Sequence, residues 1–298
     1  MFNNIIGNTK VKNYLEVSIK NSKTSHSYMF VGIEGIGKKL IAKSFAKRLL
    51  CFNEQQDGCN CKSCLEFDTQ NHPDFEIIEP DGNSLKIEQI RQLQRKIQEK
   101  PIISSKKIYI IDNADKMTIE AQNCLLKTLE EPPEFAILIL IGSNESSFLD
   151  TIKSRCIILH FEQIENKDLK EFLNKNFEIQ VNDDVLKIFQ GSIGKAVELK
   201  DKIEEYAQIG NMLKQLNAKD MLSIVTMAKP IYEAKEDIYP ILEYINVELL
   251  ELSKKDYKFT KCIKIVENTK ERLKNNSNFD MCIDNMLFNM WREVNWKK

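Results

Sequence analysis

The sequence predicts an α/β protein: a P-loop-type parallel-sheet domain with helical crossovers, then a small helical domain, then a larger all-helical one. Three features carry that prediction. Five apolar runs, SYMFVG, DFEIIEP, KIYIIDN, AILILIGS and IILHF, alternate with stretches of helical periodicity, and strands buried on both faces have this continuous apolar composition. The first run passes straight into a glycine turn, GIEGIGKK, and then an amphipathic stretch, LIAKSFAKRLL. Beyond Phe161 the strand-like runs stop and only helical patterns follow. A chain of 298 residues exceeds what one hydrophobic core usually serves, and the change of pattern divides it into residues 1–162, 163–205 and 206–298.

Composition narrows the function classes. A hydrophobic fraction of 42% with 29% charged residues suits a folded protein rather than a disordered one. The 43 basic and 44 acidic side chains leave a net charge of -1, so no global field draws the chain to nucleic acid or anionic lipid, and any DNA contact is expected to be local or shared with partners. The amino terminus lacks a basic stretch followed by an apolar core, and the longest apolar run, FAILILIG, is too short to span a bilayer. A cytoplasmic location with no membrane partner is expected.

In a parallel sheet, ligands bind beyond the carboxyl ends of the strands, so the loops after the apolar runs are the places to look. In the first, Gly32, Gly35 and Gly37 let backbone N–H groups turn toward phosphate oxygens, the following helix adds its partial positive charge, and Lys38 would meet the terminal phosphates. The next position normally offers a hydroxyl to magnesium, and here it is Lys39; an ammonium cannot ligate a cation. Bare phosphate or sulfate is the expected ligand of this loop, and ATP is not expected to bind productively.

The third run ends at Asp112, in place to hold magnesium through water, but a glutamate should follow to activate the attacking water. Asn113 stands there instead, and an amide accepts no proton at neutral pH. An alternative reading makes Asp112 a helix cap and Asn113 a turn residue.

Four of the eight cysteines, Cys51, Cys59, Cys61 and Cys64, crowd into one short stretch. Four thiolates satisfy tetrahedral zinc and leave no position for water, which implies a structural ion; four free cytosolic thiols are the competing reading. The nearby His72 reads as a turn or packing residue rather than a fifth ligand.

Taken together, HSYMFVGIEGIGKK, HPDFEIIEP, KIEQIRQL, KIYIIDNADKMTIEAQNCLLKTLEEPP and TIKSRC resemble the bacterial DNA polymerase III clamp-loader subunits of the AAA+ class, and within it the delta' type. The ATPase type, gamma or tau, is the main competitor; it would require a hydroxyl at 39, a glutamate at 113 and a lid arginine where GSIGKAVEL offers Gly194, with Lys195 beside it. The resemblance implies that Ser154, Arg155 and Cys156 form the SRC motif, with Arg155 an arginine finger acting in trans on a neighbour's ATP; a surface arginine in an ion pair is the bland alternative. It implies that Ser143 and Asn144 are a vestigial first sensor, and that the cysteines are the zinc module of this class. It also implies that 163–205 is a lid and 206–298 an oligomerisation collar, with Trp291 or Trp296 packing anchors or interface residues. The implied function is that of a non-hydrolysing subunit of a DNA-directed DNA polymerase holoenzyme. Its expected partners are the gamma/tau and delta subunits and, through the complex, the sliding clamp and primed DNA. Two other readings stay open: an active gamma/tau-like ATPase using Asp115 or another carboxylate as its base, and a zinc-bearing adaptor on an inherited fold.

Overall fold

The computed structural model describes residues 2, 5–53, 58–181 and 183–295. By compactness the chain falls into two units, residues 1–168 with 192–194, and residues 169–191 with 195–298.

The first unit opens with helix α1 (Thr9–Lys20), followed by strand β1 (Ser27–Val31) and helices α2 (Lys38–Leu50) and α3 (Lys62–Asp68). Then come β2 (Phe75–Ile78), α4 (Ile87–Ile97), β3 (Lys107–Ile111), α5 (Ile119–Glu130), β4 (Ala136–Gly142), the short α6 (Asp150–Lys153) and β5 (Ile157–His160). Each strand falls within one of the five apolar runs. They form one parallel sheet in the order β2-β3-β4-β1-β5. Every residue of the three central strands is buried, whereas the edge strands β2 and β5 are mostly only partly buried.

Both sheet faces are covered, and alternate residues serve opposite cores. Tyr28 and Phe30 pack with Ile41 and Phe45 of α2 on one face, while Met29 and Val31 join the cluster containing Leu93 of α4 and Leu125 of α5 on the other. This two-sided burial accounts for the continuous apolar runs. The parallel pairing of β1, β3 and β4 places the loops that follow them at one edge of the sheet.

The second unit is helical. It contains most of α7 (Asn166–Phe177), α8 (Asp183–Phe189), all but the first two residues of α9 (Ile193–Glu198), and α10 (Ile203–Lys214), α11 (Met221–Met227), α12 (Lys229–Glu233), α13 (Ile238–Ser253), α14 (Lys258–Lys274) and α15 (Phe279–Asn295). Pro230 and Pro240 both lie in the first turn of a helix, where the missing N–H has no intrahelical partner to lose. The indole of Trp291 donates to the Lys219 carbonyl at 2.8 Å, as a packing anchor would; Trp296 lies outside the described residues. Among the described residues, no helix is long and apolar enough to cross a membrane.

Candidate functional site

The loop after β1 is shaped by glycine. Gly35 and Gly37 have φ of +75° and +94°, a region that side chains with a Cβ rarely adopt. A Cβ on Gly35 would also approach Ser192 Oγ and Gly194 Cα to 2.3 and 2.9 Å. Gly194, the position read as that of the lid arginine, donates its backbone N–H to Gly35 O at 2.9 Å. A Cβ there would meet Gly35 Cα at 2.7 Å. The loop is therefore braced by a glycine-to-glycine backbone contact.

Both lysines of the loop are occupied within the chain. Lys38 is buried and its ammonium donates to the carbonyls of Gly32 and, at 2.7 Å, Ile33. Burial lowers its pKa, against the pull of Glu34, Asp115 and Asp112. Lys39 pairs with Glu79, just beyond β2, and with Asp112 Oδ2 at 2.9 Å. Burial draws the Lys39 pKa down, but hydrogen bonds to the two carboxylates outweigh it and raise the pKa above the ordinary lysine value. The two lysines stand in the first turn of α2 with no acidic residue beside them there, at the end where a helix repels cations. The carbonyls and carboxylates offset that cost.

Asp112 is engaged at both oxygens, since its Oδ1 accepts the backbone N–H of Asn113 at 3.1 Å. Asn113 has φ of +49°, which asparagine tolerates better than most residues, so the turn-residue reading fits it. Asp115, weighed above as a substitute base, accepts the backbone N–H groups of Ser143 and Asn144 on Oδ2 at 3.0 and 3.2 Å. It holds the loop after β4 in place. Two sets of contacts thus form beyond the strand ends, Lys39 with Asp112 and Asp115 with Ser143 and Asn144.

The turn carrying Ser154 and Arg155 follows α6 and leads into β5. Ser27 Oγ ties it to β1 by donating to the Arg155 carbonyl at 2.6 Å. The Arg155 guanidinium donates from Nη1 to Thr151 O at 2.8 Å and to Ser154 Oγ at 3.3 Å, and its Nη2 lies 2.8 Å from Glu130 Oε1. About a third of the side chain stays exposed, at 34%. Cys156 points inward instead, and burial pushes its thiol up to about 12.

The four clustered cysteines converge, with their Sγ atoms all within 4.8 Å of one another and Cys51 and Cys61 4.0 Å apart. Tetrahedral zinc–thiolate bonds of about 2.3 Å place sulfurs roughly 3.8 Å apart, so the set fits such an ion. Burial raises the Cys64 thiol, while Cys61 falls to about 6 because hydrogen bonds from its neighbours outweigh its burial. His72 is not part of this set: its Nδ1 accepts the Asp74 N–H at 3.1 Å, and its Nε2 lies 2.9 Å from Ser63 Oγ. Burial lowers its pKa.

Two residues escaped the motif reading, Glu79 and Glu130. Glu79 lay inside the quoted DFEIIEP run, directly after β2, with nothing local to tie it to Lys39. Glu130 lay inside the quoted LEEPP stretch, with nothing local to tie it to Arg155.

The family described as "DNA polymerase III, delta subunit" matches residues 7–165. The chain is 36% identical over 200 residues to the DNA polymerase III subunit delta' of Bacillus subtilis, covering 67% of this chain and 60% of that one. It is 32% identical over 211 residues to the subunit tau/gamma of Haemophilus influenzae, covering 67% of this chain and 30% of that one. The matched part therefore spans less than two thirds of either relative. A solved structure of a gamma subunit-related protein from Thermotoga maritima aligns over 94% of this chain and 99% of its own, with a TM-score of 0.51 and 15% identity, which bears on the fold alone.

Proposed function

The chain belongs to the delta-subunit family of DNA polymerase III, in its delta' branch, and on that premise we propose that it is a non-hydrolysing subunit of a cytoplasmic clamp loader. Its first domain is a P-loop frame with a degenerate phosphate loop, and its partners are the gamma/tau and delta subunits. Together they place a sliding clamp on primed DNA. The observation that carries the reading is the Lys39–Asp112 ion pair. An active P-loop has a hydroxyl and a carboxylate around magnesium at these two positions; here the ammonium of one occupies the carboxylate of the other. A cation already in contact with Asp112 electrostatically opposes a second one.

Arg155 acts on a neighbour. A guanidinium has five N–H donors, and the described residues supply three acceptors, Thr151 O, Ser154 Oγ and Glu130 Oε1. Donors remain for the equatorial oxygens of a phosphoryl group in transfer, where an arginine contributes on the order of a thousandfold in rate. Ser154 orients it. The cysteine set holds structural zinc, which ties the segment after α2 to α3. Residues 163–205 form the lid and 206–298 the collar. The role of Asp115 as a scaffold weighs against an ATPase that uses it as a base.

The test is reconstitution of the loader with parent or Arg155→Ala protein and measurement of DNA-stimulated ATP turnover. The expected result is loss of turnover at the adjoining site; an unchanged rate removes the role in trans.

A further inference from the structure

Helices α14 and α15 enclose a shallow groove of about 270 Å³, and its lining differs from the rest of this nearly neutral chain. From α14 it receives Lys264, Asn268 and Arg272, and from α15 Asn285, Asn289 and Arg292. The spacings of four and four, and of four and three, place each trio along one face of its helix. Among the described residues, Lys264, Arg272 and Arg292 have no carboxylate within ion-pair distance, and the one acid in the lining, Glu293, is taken by Lys261.

The hydrogen bonding makes this face a donor surface. Asn285 Oδ1 accepts from Arg272 Nη1 at 3.2 Å and from Asn289 Nδ2 at 2.8 Å. Its acceptor is thereby used inside the protein, and its amide N–H groups join the three cations as donors. An anion is the matching ligand. Beside the groove, the Arg292 guanidinium lies 5.8 Å from the centroid of Phe288, a ring that is 47% exposed. An aromatic face left in water next to a row of cations can stack a base while the cations hold phosphates, a use that an acidic peptide does not have for it.

We propose that this α14–α15 face binds single-stranded nucleic acid, with backbone phosphates on Lys264, Arg272 and Arg292 and a base on Phe288. With about three phosphates neutralised, log affinity falls against log salt with a slope of about -2.

The experiment is fluorescence anisotropy of a labelled thymidine oligonucleotide, about 20 nucleotides long, titrated with the full chain at about 50 mM salt and above. The Lys264→Glu/Arg272→Glu protein is expected to lose about tenfold or more in affinity. A control with the same charge change elsewhere, Lys20→Glu/Lys23→Glu on the exposed surface of the first unit, is expected to lose far less. Phe288→Ala is expected to weaken the single strand on the order of fivefold and leave duplex binding unchanged. Circular dichroism establishes that each variant is folded. Absence of binding, or equal losses in the groove and control variants, overturns the proposal. Equal competition by polyglutamate assigns the face to acidic protein segments instead, and a Phe288→Ala protein that binds single strand like the parent overturns the stacking assignment.

Discussion

The phosphate loop and the Ser154–Arg155 turn both involve a charge at the unfavourable end of a helix, and the chain resolves the two cases in opposite ways. Lys39 adds an ammonium to the positive start of α2, and Glu130 adds a carboxylate to the negative end of α5. At the loop, Glu79 and Asp112 consume the ammonium. At the turn, Glu130 meets a guanidinium that retains unused donors and partial exposure. One region has closed its chemistry within the chain, and the other keeps the means to engage a second anion. On the proposed function, a subunit that has lost its own turnover retains what a neighbour needs because the two roles rest on separate ion pairs.

The comparison can be broken most severely at the turn. In the assembled loader, Arg155→Ala should cut turnover at the adjoining site by on the order of a thousandfold, read by DNA-stimulated ATP hydrolysis, whereas Lys39→Ala should leave it nearly unchanged. Equal losses from the two substitutions would abolish the distinction between the regions. Zinc supplies a control lying outside both. Cys61→Ser should abolish bound zinc in elemental analysis and lower the melting temperature by roughly 5 °C; retention of the metal would contradict the four-cysteine site.

A smaller effect sharpens the account of the loop. Gly194→Arg installs the lid arginine that the resemblance assigns to this position, yet its Cβ enters the 2.7 Å approach to Gly35 Cα. It should destabilise the protein by about 1–3 kcal/mol in urea unfolding without adding nucleotide affinity. The smallest effect is on the ion pair itself. Lys39 is 37% exposed, so Lys39→Ala should change stability by no more than about 1 kcal/mol. It should also expose the carboxylates of Glu79 and Asp112 to divalent cations, and titration calorimetry with magnesium would detect the gain.

The sheet was readable because burial on both faces leaves an unbroken apolar signature, and the five runs hold the five strands. The loop residues were readable for a related reason: a glycine turn after a buried strand has few other uses. Glu79 and Glu130 were far less accessible, since each becomes a partner only when the sheet brings distant loops together. Lys39 reaches a residue 40 positions away, and no local pattern encodes that pairing. The backbone contact of Gly194 with Gly35 was hidden in the same way. The sequence suggested only that the lid arginine is replaced at Gly194, and gave no sign that its backbone packs on Gly35.

On the proposed function, the Lys39 ammonium silences the pocket by holding Asp112, the carboxylate expected to bind magnesium. Titration calorimetry of the purified chain with magnesium ATP tests it most directly. No saturable heat is expected in the micromolar range, and tight magnesium-dependent binding by the parent chain would show that Asp112 is free to take the metal.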